Sequence, residues 1–191
     1  MSFESRINSL NAEKKVIEND LKKKQNELQS YQEEKEAAEE ARIILQTAAR
    51  KTQQNIEIHF SDLVTKAMQL VFDNPYVFQP EFTEKRNKTE CDLWFVKNNQ
   101  KLRPRFASGG GALDVASFAL RLAYWRLEKS APVLILDEPF KNLSRNLMPK
   151  AVEMLKMLSN EFGLQIIMIT HIQEIVEEAN KVFKIQGGKS L

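Results

Sequence analysis

The first 74 residues contain neither glycine nor proline, and this absence constrains the fold more than any other feature of the chain. Glycine and proline both destabilise helix interiors, and all six of each lie between Pro75 and Gly188. Within the first segment, mostly apolar residues recur at alternating steps of three and four, with Glu and Lys between them. The seam runs through Ile7, Leu10, Lys14, Ile17, Leu21, Lys24, Leu28, Tyr31, Lys35, Ala38, Arg42, Leu45, Ala49, Thr52 and Ile56. This pattern predicts one helix from near Ser2 to near Leu70.

A helix of this length would extend about 100 Å at 1.5 Å per residue. Its apolar stripe must be buried for the helix to be stable, so it needs a partner helix. No second helix of comparable length is predicted downstream. We therefore expect residues 1–70 to form a coiled-coil domain with another polypeptide or a second copy. A plain dimeric coiled coil is the alternative interpretation.

Residues 71–191 have the short, turn-bounded segments of an α/β domain. A helix is predicted directly after the serine and glycine loop, because Leu113, Ala116, Leu120 and Ala123 recur at helical spacing. Two strands and a hairpin turn are predicted before this helix, and a short helix and a last strand close the chain. These segments are residues 76–82 and 91–97 (strands), 98–100 (turn), 112–130 (helix), 173–180 (helix) and 181–185 (strand).

A βαβ unit is predicted within this domain. Residues 133–136 and 165–170 are apolar runs of strand length, and a helix from about Asn146 to Phe162 lies between them, stopped by Gly163. The first run is typical of a strand covered on both faces. The two strands should be parallel with a right-handed crossover, so both end at the same edge of the sheet.

Three polar residues follow these strands and are expected to converge at that edge. Asp137 and Glu138 end the first apolar run, and His171 follows the second. Ligands of open α/β sheets bind at the carboxyl edge. One carboxylate could hold Mg²⁺ and the other could accept a proton from an attacking water. Taken singly, each residue has a simpler explanation, as a charge complementing a helix dipole or as a satisfied histidine.

The order of these motifs resembles the C-terminal half of an ABC-type ATPase head. The segments that carry the resemblance are "FASGGGALDVASFALRLA", "VLILDEP", "LDEPFKNLS" and "IIMITH". Their position after a long coiled coil is similar to the SMC and double-strand-break-repair (RecF- and RecN-like) branch of that class. The resemblance implies an α/β fold, the C-terminal lobe of such a head with a parallel sheet and flanking helices.

The resemblance also implies roles for individual residues. Ser108, Gly109 and Gly110 match the signature motif, which contacts the γ-phosphate of ATP held by the opposite head. Glycines let backbone N–H groups approach an anion, and the following helix points its positive end there. Asp137 matches the Walker B magnesium residue, Glu138 the catalytic base, and His171 the switch histidine that senses γ-phosphate. The implied cofactors are ATP and Mg²⁺.

The chain departs from the family pattern at three places. Gly111 stands where Gln or Glu is common, and Ser144 stands where the D-loop commonly has Asp, with Asn142 nearby as an uncertain substitute. A Walker A loop, GxxxxGK[ST], is absent. The segment "GGKS" at 187–190 mimics its end, but Phe183 occupies the position of the first glycine.

Charge and cysteine content add little. The net charge is +2, with a basic patch between Glu84 and Arg105 that contains seven basic residues and three acidic ones. A solvated face explains this patch more simply than phosphate contact, although Lys101, Arg103 and Arg105 could contact a DNA backbone. The single cysteine, Cys91, excludes an internal disulfide. With no signal-like or membrane-spanning apolar run, we expect a soluble, cytoplasmic protein associated with the nucleoid.

Three functions remain open from the sequence. The favoured one is an ATPase half for DNA repair or recombination, active only with a P-loop chain and coupled to DNA and a nuclease subunit. It could be a split subunit, a fragment or a degenerate ATPase, and it could also pair with a second copy through its head or coil. The second is a non-catalytic coiled-coil module that binds DNA or protein, and the third is a self-contained hydrolase.

Overall fold

The computed structural model describes most of the chain, namely residues 3–86, 88–107, 109–128, 130–186 and 189–190. It divides into two compact units, Met1–Thr52 and Gln53–Leu191. The predicted α/β class with a long N-terminal helix is confirmed by the order of the elements. The predicted division into domains at residues 70 and 71 stays a prediction.

The first helix, α1, spans Phe3–Val71 and closely matches the predicted helix. Within the first compact unit its seam is exposed to solvent, and the described residues provide no second helix to cover it. The exposed large apolar residues of this unit are Phe3, Ile7, Leu10, Val16, Ile17, Leu21, Leu28, Tyr31, Ile43, Ile44 and Leu45. Ion pairs one helical turn apart, such as Lys14 with Glu18, support the charged faces. None of the helices in the described ranges is long and apolar enough to cross a membrane.

The second unit contains an antiparallel sheet. Its strands are β1 (Val77–Lys85), β2 (Lys88–Lys97) and β3 (Gln100–Leu102), in the order β1-β2-β3. The turn between β2 and β3 lies where the sequence predicts it. Asn98 and Asn99 there have φ angles of 50° and 61°, as the tight turns that join twisted strands require.

The last turns of α1 are attached to β1 by three hydrogen bonds. The Ser61 hydroxyl donates to the carbonyl of Phe78 at 2.6 Å, and the Phe78 N–H donates to the Thr65 hydroxyl at 3.0 Å. The Phe82 N–H donates to the carboxylate of Glu57 at 3.0 Å. The helix therefore continues into the globular unit as part of its packed structure.

The βαβ unit forms as predicted. Strand β4 (Val133–Asp137) pairs with β5 (Gln165–Ile169) in parallel, and α3 (Met148–Phe162) connects them. Gly163 ends α3 in the left-handed conformation, with φ 61°. Before this unit lies α2 (Gly110–Glu128).

The end of the chain differs from the prediction. A short helix, α4 (Gln173–Glu177), follows β5, and β6 (Ile185–Gln186) pairs in antiparallel with β7 (Lys189–Ser190). The predicted strand at residues 181–185 was wrong except for Ile185. Within the described ranges, no neighbouring strand pairs with residues 181–184, and an isolated extended segment has no partner for its backbone groups.

One face of the β4–β5 pair packs into the core. Leu134, Leu136, Ile166 and Met168 alternate onto this face and join a cluster built mainly from α1, β1, β2, α2 and α3. The largest fully buried side chains of that cluster are Phe78, Phe95, Phe118, Phe140, Met68, Leu122, Leu136 and Met154.

The other face of the pair is open. Val133, Ile135, Ile167 and Ile169 alternate onto it and are 37%, 72%, 46% and 61% exposed. The prediction that residues 133–136 are covered on both faces was therefore wrong for this chain. Side chains alternate across a strand, and the described elements cover one side only. We call these four residues the open apolar face.

Substitution of Phe118 tests the packing of the core between α2 and the loop after β4. Its ring is buried and lies 5.7 Å from the ring of Phe140. Phe118→Ala should lower the free energy of unfolding by about 3–5 kcal/mol, because it removes buried contacts and leaves a cavity. Urea denaturation measures this loss. Phe183→Ala is the matched control, since Phe183 is exposed and should change stability by less than about 0.5 kcal/mol. Equal losses in the two variants would contradict the core described here.

Candidate functional site

The carboxyl edge of the β4–β5 pair brings the predicted residues together. In the parallel register Asp137 is opposite Ile169, and the Glu138 N–H extends the ladder by donating to the Ile169 carbonyl at 2.9 Å. Two residues after β5 ends, the ring of His171 lies beside Glu138. Nδ1 of His171 is 2.8 Å from Oε2 of Glu138. The expected convergence of Glu138 and His171 is thus observed.

Glu138 has a strained backbone and a partly shielded side chain. Its backbone has φ 44°, a strained value for a residue with a side chain. Its Oε2 atom is shielded from solvent and forms no hydrogen bond of standard geometry with the described residues. The ring of His171 beside it is 78% exposed. The Glu138 side chain as a whole is 32% exposed, so the carboxylate group at this open edge could receive a proton from a bound water.

Asp137 is the last residue of β4, and it is exposed. Oxygen ligands suit Mg²⁺, which is commonly held by one or two carboxylates, with waters and substrate phosphates as the remaining ligands. The described residues contain no group of three or more His, Cys, Asp and Glu that could hold a metal by themselves. Asp137 could provide one carboxylate ligand to Mg²⁺, and the remaining ligands would have to come from outside the described residues.

The glycine loop precedes and begins α2. Ser108 lies outside the described residues. Gly109 has φ 89°, and a Cβ atom there would meet nothing within 4 Å, so glycine is needed for its backbone conformation. Gly110 is the first residue of α2, whose first turn has no acidic residue. Backbone N–H groups of such a first turn have no partner within the helix and can bind an anion.

Gly110 and Gly111 have a second role that the sequence did not reveal. A Cβ at Gly110 would lie 2.6 Å from the Cβ of Asn142, and one at Gly111 would lie 3.0 Å from the Cα of Leu143. The close approach that excludes larger residues is therefore made by the protein's own loop after β4. Room for an anion is an additional reason for glycine only on the exposed side of the glycine loop.

The loop at residues 138–144 is attached to α2. Phe140 has φ 67° and a fully buried ring, and its carbonyl accepts the N–H of Leu143 at 2.9 Å. Asp114 accepts two hydrogen bonds from Asn142, through Oδ2 from the backbone N–H at 2.8 Å and through Oδ1 from the side-chain amide at 3.2 Å. Sequence reasoning missed Asp114. The sequence feature that could have identified Asp114 is that it is the one acidic residue of α2 before the final Glu128.

Part of the basic patch is paired with carboxylates in the antiparallel sheet, where Lys85, Lys101 and Arg103 each form an ion pair. Nζ of Lys101 lies 3.2 Å from Oε2 of Glu81. Nη1 of Arg103 lies 2.7 Å from Oδ1 of Asp92, and the Arg103 guanidinium lies over the ring of Trp94. The hydrogen bond from Arg103 holds the pKa of Asp92 below its ordinary value. These three cations therefore already have carboxylate partners.

Arg105 differs from these cations. It forms no ion pair with the described residues, and its guanidinium lies 4.7 Å from the ring centre of Phe106. Phe106 is 68% exposed. Arg105 remains the basic residue near the glycine loop that could contact a phosphate.

The contact between Gly110 and Asn142 makes a testable prediction about loop packing. Gly110→Ala should destabilise the chain by about 1–3 kcal/mol in urea denaturation, because the new methyl overlaps Asn142. Asn142→Gly removes the overlapping atoms and should restore much of that loss. Gly109→Ala is the matched comparison, since its cost comes from a positive φ in open space and Asn142→Gly should not restore it. Rescue of both alanine variants, or of neither, would contradict the packing.

No protein-family model matches the sequence. Two curated relatives do. The chain is 26% identical over 120 residues to the methionine import ATP-binding protein MetN of Campylobacter jejuni, covering 62% of this chain and 34% of that protein. It is 36% identical over 108 residues to an uncharacterized ABC transporter ATP-binding protein of Methanocaldococcus jannaschii, covering 56% of this chain and 45% of that protein. The chain thus spans between a third and a half of the length of these relatives.

Solved SMC head structures have the same fold. A structure concerned with ATP-driven dimerization and DNA-stimulated activation of SMC ATPases has a TM-score of 0.53 at 17% identity, over 74% of this chain and 86% of that one. An SMC head with coiled coil and joint from Pyrococcus yayanosii has a TM-score of 0.55 at 22% identity, over 86% of this chain and 32% of that one. An SMC head bound to the C-winged helix domain of ScpA has a TM-score of 0.56 at 20% identity, over 74% of this chain and 42% of that one. The chain is thus similar in sequence to two ATP-binding proteins and similar in fold to SMC heads.

Proposed function

We propose that this chain is the C-terminal half of an SMC-like ATPase of DNA repair or recombination, completed by a chain that carries a P-loop. It would supply the γ-phosphate-facing and water-activating residues of a shared ATP site. The partner would supply the Walker A loop, which this sequence lacks.

The open apolar face is the observation that carries this proposal. Parallel sheets in α/β proteins are covered on both faces. Here β4 and β5 form a two-stranded sheet among the described residues, with Ile135 72% exposed at the centre of one face. A contiguous exposed apolar patch of this kind indicates an interaction surface. The same partner that covers this face would lie beside the carboxyl edge, where a phosphate loop is needed.

The chemistry of the edge supports hydrolysis of ATP. Glu138 would accept a proton from the attacking water, and His171, 2.8 Å away, would hold the carboxylate in place and sense the γ-phosphate. Asp137 would hold Mg²⁺ together with nucleotide and water oxygens. When bound, Mg²⁺ neutralises charge on the phosphates. Ser108 and the backbone of Gly109 and Gly110 would contact the γ-phosphate of a nucleotide bound to the opposite head.

The other proposed partners rest on fewer observations. The exposed seam of α1 supports pairing with a second helix, from the P-loop chain or from a second copy. Dimerization of heads is proposed from the fold shared with SMC heads. Direct contact with DNA, a nuclease partner, and a cytoplasmic, nucleoid-associated location rest on the sequence resemblance alone. The ion-paired residues of the basic patch do not strengthen the case for DNA, whereas Arg105 forms no ion pair with the described residues.

Glu138 is the residue with which to test hydrolysis. ATP turnover should appear when the chain is mixed with its P-loop partner, and Glu138→Gln should reduce kcat by about 100-fold or more, because the amide cannot accept the proton. Phosphate release measures turnover. Glu161→Gln, the same change at an exposed position of α3, is the matched control and should leave kcat unchanged. Turnover that persists in the Glu138 variant would refute the proposed base, and its absence in every mixture would favour a non-catalytic module.

Substitution of Ile135 tests whether the partner docks on the open apolar face. Ile135→Lys should leave the isolated chain folded, because the side chain already faces water, but should weaken association with the P-loop chain at least tenfold by placing a charge in an apolar interface. Sedimentation analysis of the mixture measures the association. Val77→Lys, at a half-exposed position on edge strand β1, is the matched control. Equal affinity of the Ile135 variant and the wild type would refute docking at the open apolar face.

A further inference from the structure

We propose that Asp114 is a positioning residue that fixes the loop at residues 138–144 on the first turns of α2, so that the glycine loop and Glu138 keep a constant spatial relation. This inference rests on the proposed function and adds a residue to which the sequence analysis assigned no role. Asp114 lies on α2, whereas Glu138 lies on the segment after β4.

The contacts of Asp114 are directed at one residue. Its two carboxylate oxygens accept two different N–H groups of Asn142, one from the backbone and one from the side chain. Hydrogen bonds to a charged acceptor are stronger than neutral ones. The two bonds together restrict both the position of the loop backbone and the rotation of the Asn142 side chain.

Close packing reinforces these bonds on either side. Toward the start of α2, Gly110 and Gly111 leave just enough room for Asn142 and Leu143. Further along α2, the buried ring of Phe118 lies against that of Phe140. The loop is therefore held to the helix at three successive places, and Asp114 supplies the polar one.

The consequence is mechanical coupling between two parts of the site. The glycine loop would contact the nucleotide on the opposite head, whereas Glu138 would act on a nucleotide held beside its own strand. A loop fixed to α2 transmits a displacement of the one to the other, because both belong to the same packed block. Asp114 contacts neither nucleotide, so its loss should lower kcat and leave the KM for ATP nearly unchanged.

The reciprocal exchange of the pair provides the test. Asp114→Asn replaces the charged acceptor by a neutral amide and so weakens the hydrogen bond from the backbone N–H of residue 142, and Asn142→Asp places two carboxylates opposite each other. The double variant restores a complementary pair, in which Asn at 114 accepts the backbone N–H of residue 142 and donates to its new carboxylate. Asp62→Asn, at an exposed position on α1, is the matched control for the loss of a carboxylate.

Hydrogen exchange of the purified full chain gives the first readout. Relative to the intrinsic rates, the amide of residue 142 should exchange about tenfold faster in each single variant and return close to the wild-type rate in the double variant. The Asp62 variant should match the wild type. Unchanged exchange in Asp114→Asn, or additive losses in the double variant, would overturn the proposal.

ATP turnover with the P-loop chain gives the second readout. Each single variant should lower kcat about tenfold with KM within about twofold, and the double variant should recover kcat. Exchange that follows the expected pattern without any effect on kcat would overturn the positioning role while the proposed function stands. A wild-type mixture without turnover would refute the proposed function, and Asp114 would then be judged on the exchange measurements alone.

Discussion

The parallel pairing of β4 with β5 is the interaction on which the rest of the structure depends. Its register places Asp137 opposite Ile169, and the Glu138 N–H continues the ladder onto the Ile169 carbonyl. A shift by one residue would turn the alternating side chains to the other face and expose the core leucines. The same register sets the distance between Glu138 and His171, which come from segments more than 30 residues apart. One backbone ladder thus determines both the core and the edge at which Glu138 and His171 meet.

The loop after β4 connects this edge to α2. Its conformation is costly, with positive φ angles at Glu138 and Phe140, and such angles persist only where the surroundings enforce them. The buried ring of Phe140 and the bonds between Asn142 and Asp114 provide that enforcement. The glycines at the start of α2 are part of the same arrangement, because side chains there would displace the loop. Packing within the chain and access for an anion thus act on the same short segment.

The two large exposed apolar surfaces can be explained in the same way. The seam of α1 and the open apolar face both consist of residues that a finished structure would bury. The other faces of α1 carry charged residues, and the other face of β4 and β5 packs into the core. A complementary polypeptide could cover either surface. This physical argument for a partner does not depend on motif resemblance.

The sequence by itself determined the elements that have strong local signals. The helix of residues 3–71, the βαβ unit and the convergence of Glu138 with His171 follow from periodicity, apolar runs and the geometry of parallel strands. Tertiary structure alone decided that one face of the sheet is open, that residues 181–184 form no strand, and that Asp114 binds Asn142. The physical reason is that periodicity reports which side chains avoid water, whereas the covering of a face and the pairing of distant polar groups depend on which elements meet in space.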